Sequence, residues 1–489
     1  MPKTRILWPC RDTGGDLARS FDALRAEYEL SLGYPEAAVG EAREAMAAVQ
    51  MPERDETAVP FFTIDPVGSM DLDQAMHLEE AGDGFRVRYA IADVPLYVRP
   101  GGNLDAETRR RGQTIYMPDV RIPLHPSQLS EGAASLLPDQ VCSAFVWDMT
   151  LDARGEVTDA TLYRAQVRSV ERLDYRGVQG AVDSGSDDPR LALLKRIGEL
   201  RATLELERGG ASLPMPDQEV SEPEPGRYEV HFRPPVPSED WNAQISLMTG
   251  MVAARMMLDG GVGILRTMPK PDPRDVERFR LQAKGLGLVW VKDETYGAFL
   301  RRLDRDDPRH LALIHEAVTL FRGAAYTPFD GTTPEITEQA AVAAPYAHVT
   351  APLRRLVDRF GLVICEALAN GREVPAWARE ALPDLPEIMR SSDQVAGKID
   401  RACVDRVEAA ALSSSVGETF GALVVEGPDK EGKGGGRLTV QLVDHAVVAP
   451  ARAAEGATAP PAGETCTVRL TDADIMGGKL TFEVVEAAS

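Results

Sequence analysis

The sequence predicts an α+β protein in three parts: helices at the front, a mixed sheet with helices in the middle, and an all-β tail. Three observations point there. Leu17, Phe21, Leu24 and Tyr28 recur at spacings of four, three and four, which gives one apolar helical face. FRVRYAIADV and CSAFVWDMTLD alternate or run apolar as strands do, and segments of helical pattern follow them. From Gly417 onward, five short strand candidates are separated by turns, the number a small barrel needs.

Taken in order, residues 1–58 form the first part. Asp16 stands where it could cap the first helix. Gly33, Tyr34 and Pro35 end that helix, and EAAVGEAREAMAAV forms a second, so a small helical cap or a helix-turn-helix-like module is expected. The second part runs over residues 59–412. Its helical segments are 190–208, 241–259, 273–286, 308–322, 352–369 and 392–412, with proline-rich breaks near 214–236 and 328–334. Residues 413–489 form the tail, where GALVVEGP, RLTVQLVD, HAVVAP, TCTVRLTDAD and LTFEVVE read as strands and GKGGG (432–436) as a flexible loop.

The 489 residues exceed the size of one typical domain, and 44% apolar content suffices for a large core. No apolar run approaches the roughly 18–20 residues of a membrane span. The front end lacks the apolar core and cleavage site of a secretion signal. The five cysteines (10, 142, 365, 403, 466) show neither metal-ligand nor disulfide spacing, so a reducing, cytoplasmic setting is expected. A net charge of −22 argues against a protein that coats nucleic acid non-specifically. It leaves room for an enzyme with a locally basic channel. Arg109, Arg110 and Arg111, and Arg354, Arg355 and Arg359, are the candidate channel cations.

The most informative segment is TIDPVGSMDLDQA (63–75), which puts Asp65, Asp71 and Asp73 within nine positions. Carboxylates this close repel unless protons or cations intervene. Hard oxygen ligands of this kind suit Mg²⁺ or Mn²⁺, which can activate water and stabilise charge in phosphoryl transfer. A solvated acidic turn is the other reading of the spacing.

The surroundings of that segment resemble the RNB family, the catalytic domain of ribonuclease II and ribonuclease R. Family members read TID, a variable stretch, then DLDDA; here Gln74 stands in place of the last aspartate. YAIADVPLYV (89–98) resembles the family's HIADVSYYV, with Ala90 replacing the histidine. RGQTIYMPDVRIPLHPSQLSEGAASLLPD (111–139) resembles RGTSVYLPD…IPMLP…LS…LCSL, and PYAHVTAPLRR (345–355) resembles YAHFTSPIRR. These four blocks fall in family order.

The resemblance implies an RNB-type catalytic domain over 59–412 and an OB-type RNA-binding barrel over 413–489. It departs from ribonuclease II at the front, where residues 1–58 lack the strands of a cold-shock-type barrel. It implies a metal-dependent 3′→5′ exoribonuclease that acts on single-stranded RNA and releases nucleoside 5′-monophosphates. Asp65, Asp71 and Asp73 are assigned to Mg²⁺ (or Mn²⁺), with Asp73 also catalytic. Gln74 joins them as a candidate metal ligand through its amide oxygen, which brings no charge. Arg354 matches the arginine on the scissile phosphate, and Arg355 a second phosphate contact or a structural ion pair. Arg111 opens the block that holds Tyr116, the aromatic expected to stack on the 3′-terminal bases. Tyr228 and Phe232 are candidates for a second clamp aromatic, and Asp400 for the terminal-nucleotide pocket. Phe420, His445 and Phe482 are the few aromatics of the tail. A monomer without membrane association is implied.

Two other readings stand beside this one. Gln74 and the altered flanks leave room for a catalytically reduced RNB-fold protein that binds RNA without turnover. Asp71-Leu72-Asp73 alone is also the DxD pair of a sugar-nucleotide transferase.

Overall fold

The computed structural model describes residues 10–11, 15–211, 217–224, 226–233, 235–304, 307–427, 437–453 and 459–487. The middle of the chain is built on a closed five-stranded barrel. Strands Phe61–Asp65, Gln74–Ala81, Gly84–Ala92, Val141–Leu151 and Val157–Asp174 follow one another round it. Neighbours run antiparallel except at the seam, where Phe61–Asp65 pairs parallel with the last strand and Asp65 stands opposite Asp174. The expected mixed sheet is therefore a barrel. At 18 residues, Val157–Asp174 is long enough to pair with Val141–Leu151 along one stretch and with Phe61–Asp65 along the next, which leaves no open edge.

The strand pattern follows from burial. Phe85, Val87, Tyr89 and Ile91 share one face with Phe145, Trp147, Met149 and Leu151, clustered with residues of the neighbouring helices. Ala90, Ala144 and Val146 point the other way into a second cluster with Phe61 and Leu72, so these strands read as near-continuous apolar runs. Helices Pro189–Arg208, Pro237–Gly260 and Leu356–Ala369 pack around the barrel, and helix Leu385–Leu412 runs beyond it. A second closed barrel takes strands Thr419–Glu426, Arg437–Leu442, Val448–Ala453, Lys479–Ala487 and Thr465–Asp474 in that order. The GKGGG loop lies outside the described residues.

The front of the chain is part of these cores. Leu17, Phe21 and Leu24 of helix Asp16–Glu27 pack with Tyr228, Val404, Val407 and residues of the second barrel. Asp16 does not cap that helix; Gly15 holds the cap position and Asp16 pairs with Arg19 inside the first turn. Ala38 and Ala42 of helix Glu36–Ala47 pack with Tyr97, Leu104 and Leu353. From the same helix, Glu41 accepts the Asn103 N–H at 2.6 Å and so caps helix Asn103–Arg111 from outside. Strand Cys10–Arg11 pairs with Arg227 and Tyr228.

Candidate active site

Asp65 ends the first barrel strand, and Asp71 and Asp73 lie in the loop to the second. That loop is fastened by Ser135, whose hydroxyl accepts the Leu72 N–H (2.9 Å) and donates to the Met70 carbonyl (2.6 Å). The Asp73 carbonyl accepts the Ala92 N–H at 2.9 Å. Facing the loop is the turn 350–355. Asp358, fully buried, accepts the Ala351 N–H (2.7 Å) and a forked pair from Arg355. Gly112 supports the same turn by accepting the Leu356 N–H (3.0 Å). It has φ +71°, and a Cβ there would stand 2.5 Å from Ser392 Oγ, so glycine is required.

Asp73 is 4% exposed. Its Oδ1 accepts the Leu353 N–H at 2.7 Å, and its Oδ2 stands 3.5 Å from Arg354 Nε. Burial holds the Asp73 carboxyl well above the usual carboxylate range, against the Arg354 charge. Burial, reinforced by Asp71, pushes Asp65 up to about 7, against Arg354 and Arg172. Asp65 Oδ2 is buried with no hydrogen-bond partner among the described residues. Asp71 forms an ion pair with Arg121, which also pairs with Glu131.

Tyr116 and Arg121 stand opposite each other in a short hairpin of strands Ile115–Tyr116 and Arg121–Ile122. Tyr116 is 53% exposed and lies within the fields of Asp71, Asp73, Arg354 and Arg121. The structure thus brings together Asp65, Asp71, Asp73, Arg354 and Tyr116.

Other expected site residues lie elsewhere or are occupied. Gln74 Nε2 donates to the Thr350 carbonyl (2.7 Å), and its Oε1 accepts from Tyr89 (2.6 Å), which in turn meets Ser246 at 2.8 Å. Its amide ties the loop to the 350–355 turn. Arg111, expected in the channel, is instead buried at 8%; it pairs with Glu107, donates to the Gly33 and Pro123 carbonyls and lies over the Tyr34 ring. Arg355 is committed to Asp358. Arg359 is fully buried and paired with Asp105 at 2.6 Å. Arg109 and Arg110 pair with Asp105 and Glu107 along their own helix. Tyr228, offered as a clamp aromatic, is 5% exposed and sits edge-on to Phe21 (5.7 Å) in the core. The Phe232 side chain lies outside the described residues. Asp400 is exposed on helix Leu385–Leu412, beside Cys403. In the second barrel, Phe482 is core and Phe420 packs against it.

Sequence reasoning missed Arg121, Glu131, Tyr89 and Ser135. The first, second and fourth lie inside the 111–139 block, but no spacing marks which of its residues turn toward Asp71 or the loop.

The residues test well for a divalent cation in donor type. They supply three carboxylates, one orphaned buried oxygen and two carboxyls that resist ionising without added positive charge. They do not form a ready-made cage: among the described residues no three His, Cys, Asp or Glu stand in metal-holding arrangement.

A five-stranded barrel with carboxylates at its seam and a facing arginine turn, joined to a second barrel, defines a class. Residues 53–367 match the RNB domain, and residues 418–485 match the RNase II-type exonuclease C-terminal S1 domain. The chain belongs to the RNB family. Ribonuclease R of Aquifex aeolicus is 24% identical over 428 residues, covering 82% of this chain and 59% of that protein. Ribonuclease R of Escherichia coli is 29% identical over 320 residues, covering 61% and 38%. The chain thus spans under two thirds of these relatives' lengths. Mycoplasma genitalium RNase R, solved with ribose-methylated single-stranded RNA, superposes with a TM-score of 0.84 at 17% identity, covering 96% of this chain and 78% of the other. A yeast pseudonuclease superposes at 0.62 with 15% identity, covering 84% and 51%. At these identities the superpositions show the fold alone.

Among the described residues, no helix is long and apolar enough to cross a membrane.

Proposed function

We propose that this chain is a divalent-metal-dependent 3′→5′ exoribonuclease, hydrolysing single-stranded RNA from its 3′ end to nucleoside 5′-monophosphates. The observation that carries the reading is the gathering of Asp65 and Asp73 beside Arg354, with Asp71 next to Asp65 and the half-exposed ring of Tyr116 facing them. Asp65, Asp71 and Asp73 would hold Mg²⁺ or Mn²⁺, which supplies an activated water and charge neutralisation at the phosphate.

The chain's own groups do the rest. Arg354, 47% exposed at its side chain, is free enough to leave its long contact with Asp73 and grip a phosphate with two N–H groups. Asp73, fixed by the Leu353 N–H, keeps its second oxygen aimed at the same place. Tyr116 offers its face to the terminal base, a sequence-tolerant contact. Gln74 braces the floor through Thr350 and Tyr89. The Asp358 carboxylate holds the arginine turn in shape.

The test is a 5′-labelled single-stranded oligoribonucleotide incubated with the full chain and Mg²⁺ or Mn²⁺. A ladder shortening from the 3′ end supports the reading, and release of anything but 5′-monophosphates counts against it. A second reading, RNA binding with reduced turnover, is favoured by one observation: Arg121 already occupies Asp71. It predicts stable RNA binding and no ladder in either metal.

A further inference from the structure

Arg121 has no part in the chemistry just described, yet its guanidinium bridges two carboxylates. One arm meets Asp71 and the other Glu131. All three side chains are largely covered, at 26% exposure for Arg121, 11% for Asp71 and 30% for Glu131. The neighbouring acids are served differently. Among the described residues, Asp65 has an oxygen with no hydrogen-bond partner, and Asp73, which accepts the Leu353 N–H, meets a cation only in a long contact to Arg354. Of the three, Asp71 is the one that a described cation holds in close contact.

We propose that Arg121 is an internal counter-ion, which neutralises Asp71 in the metal-free protein and withdraws onto Glu131 when a divalent cation takes that carboxylate. The proposal rests on the metal-dependent reading above. Glu131 is the feature that makes withdrawal feasible. A guanidinium displaced in a covered site would be left unpaired at large cost, but a second carboxylate keeps it paired throughout. The frame is rigid on both sides. The hairpin register sets Arg121 opposite Tyr116. Glu131 lies in the helical turn Leu129–Ala133, close before Ser135, which pins the Asp71 loop. The exchange therefore needs one side chain to move and no backbone. Its consequence is a raised threshold: the site fills only at cation concentrations that outcompete Arg121.

The test uses the full chain without RNA, titrated with MnCl₂ and followed by calorimetry and by electron paramagnetic resonance of free Mn²⁺. Opposite charges a few ångströms apart interact strongly even at an effective dielectric near 20, so Arg121→Gln should tighten Mn²⁺ binding by about tenfold. Arg121→Lys, which keeps the charge but not the fork, should fall between. Glu131→Gln should weaken binding several-fold, because Arg121 then rests on Asp71 alone. The double variant should return to within about twofold of Arg121→Gln, since Glu131 acts through Arg121. Should Arg121→Gln fail to fold, Arg121→Lys and Glu131→Gln carry the same opposed signs. Unchanged or weaker Mn²⁺ affinity in Arg121→Gln, with wild type binding and Asp71→Asn impaired, overturns this proposal alone. A double variant as weak as Glu131→Gln also overturns it. No Mn²⁺ binding by wild type or by Arg121→Gln overturns the metal-dependent reading along with it.

Discussion

If the proposed function holds, Asp73→Asn should separate catalysis from folding and from RNA binding in one substitution. The asparagine keeps the side-chain volume and an Oδ1 that can accept the Leu353 N–H, now at 2.7 Å. What it loses is charge. Burial already holds the Asp73 carboxyl well above the usual range, so the metal-free protein gives up little by carrying a neutral amide. The lost attraction to Arg354 is a 3.5 Å contact to a half-exposed guanidinium, worth under about 1 kcal/mol after solvent screening. Stability should therefore change by no more than about 1 kcal/mol. In the proposed mechanism turnover uses the anionic form, and loss of one charged group at a reacting phosphate should cost on the order of 4 kcal/mol, or about 10³-fold. RNA affinity depends on many contacts along the strand and should shift less than about threefold. The assay pairs single-turnover cleavage of a labelled oligoribonucleotide with fluorescence anisotropy and a thermal melt. Affinity and rate falling together, or a rate left near wild type, would remove Asp73 from the reacting centre.

Arg354→Ala should lower turnover by two to three orders of magnitude, about 3–4 kcal/mol, with a smaller change in KM; an unchanged kcat would exclude phosphate contact in the transition state. Tyr116→Ala should weaken binding of an RNA 3′ end by roughly 1–3 kcal/mol, whereas Tyr116→Phe stays near wild type, because stacking uses the ring; equal losses in both would point to the hydroxyl. Glu408 gives a pH signature. Buried between helix Leu385–Leu412 and the second barrel, it accepts from Gln218 (2.6 Å) and the Val448 N–H (3.3 Å), and burial raises its pKa to about 8. A carboxyl raised in the folded state contributes stability that is fully present below its ordinary value near 4.5 and is lost as pH rises through about 8. Melts from pH 5 to 9 should show that decline, and Glu408→Gln should flatten it; an unaltered profile would assign the decline to other groups. Arg359→Ala should destabilise the fold by about 3 kcal/mol, because it empties a fully buried site and leaves Asp105 with only the 3.2 Å pair to Arg109 and the Gly101 N–H, measured by urea unfolding, and a loss of RNA affinity without destabilisation would restore Arg359 to the channel.

What could be read from the chain alone depended on distance along it. The three aspartates crowd into nine positions, so their electrostatic conflict is visible without a structure. The two helices at the front and the five strands of the tail follow from local periodicity, and the structure forms them where the pattern lies. Closure of the first barrel was hidden, because its seam joins residues about a hundred positions apart. Arg359 was misjudged for the same reason. A run of charge looks alike whether it faces water or a remote acid, and Arg359 finds Asp105 across 254 positions. Tyr228 looked like a clamp because its partner, Phe21, sits two hundred residues upstream. Gln74 announced a missing charge but not the Tyr89 hydroxyl and Thr350 carbonyl that engage it.

The Glu41 carboxylate, reaching from the second helix to close the end of Asn103–Arg111, ties the start of the chain to the element that leads into Gly112 and Tyr116. Trimming the polypeptide to its family-matched portion would strip that brace and lay bare Leu17, Phe21 and Leu24's oily footprint on the long helix. A shortened version would be sticky on that face and slack beside Tyr116, so residues 15–47 belong to the foundation of the fold and not to its ornament.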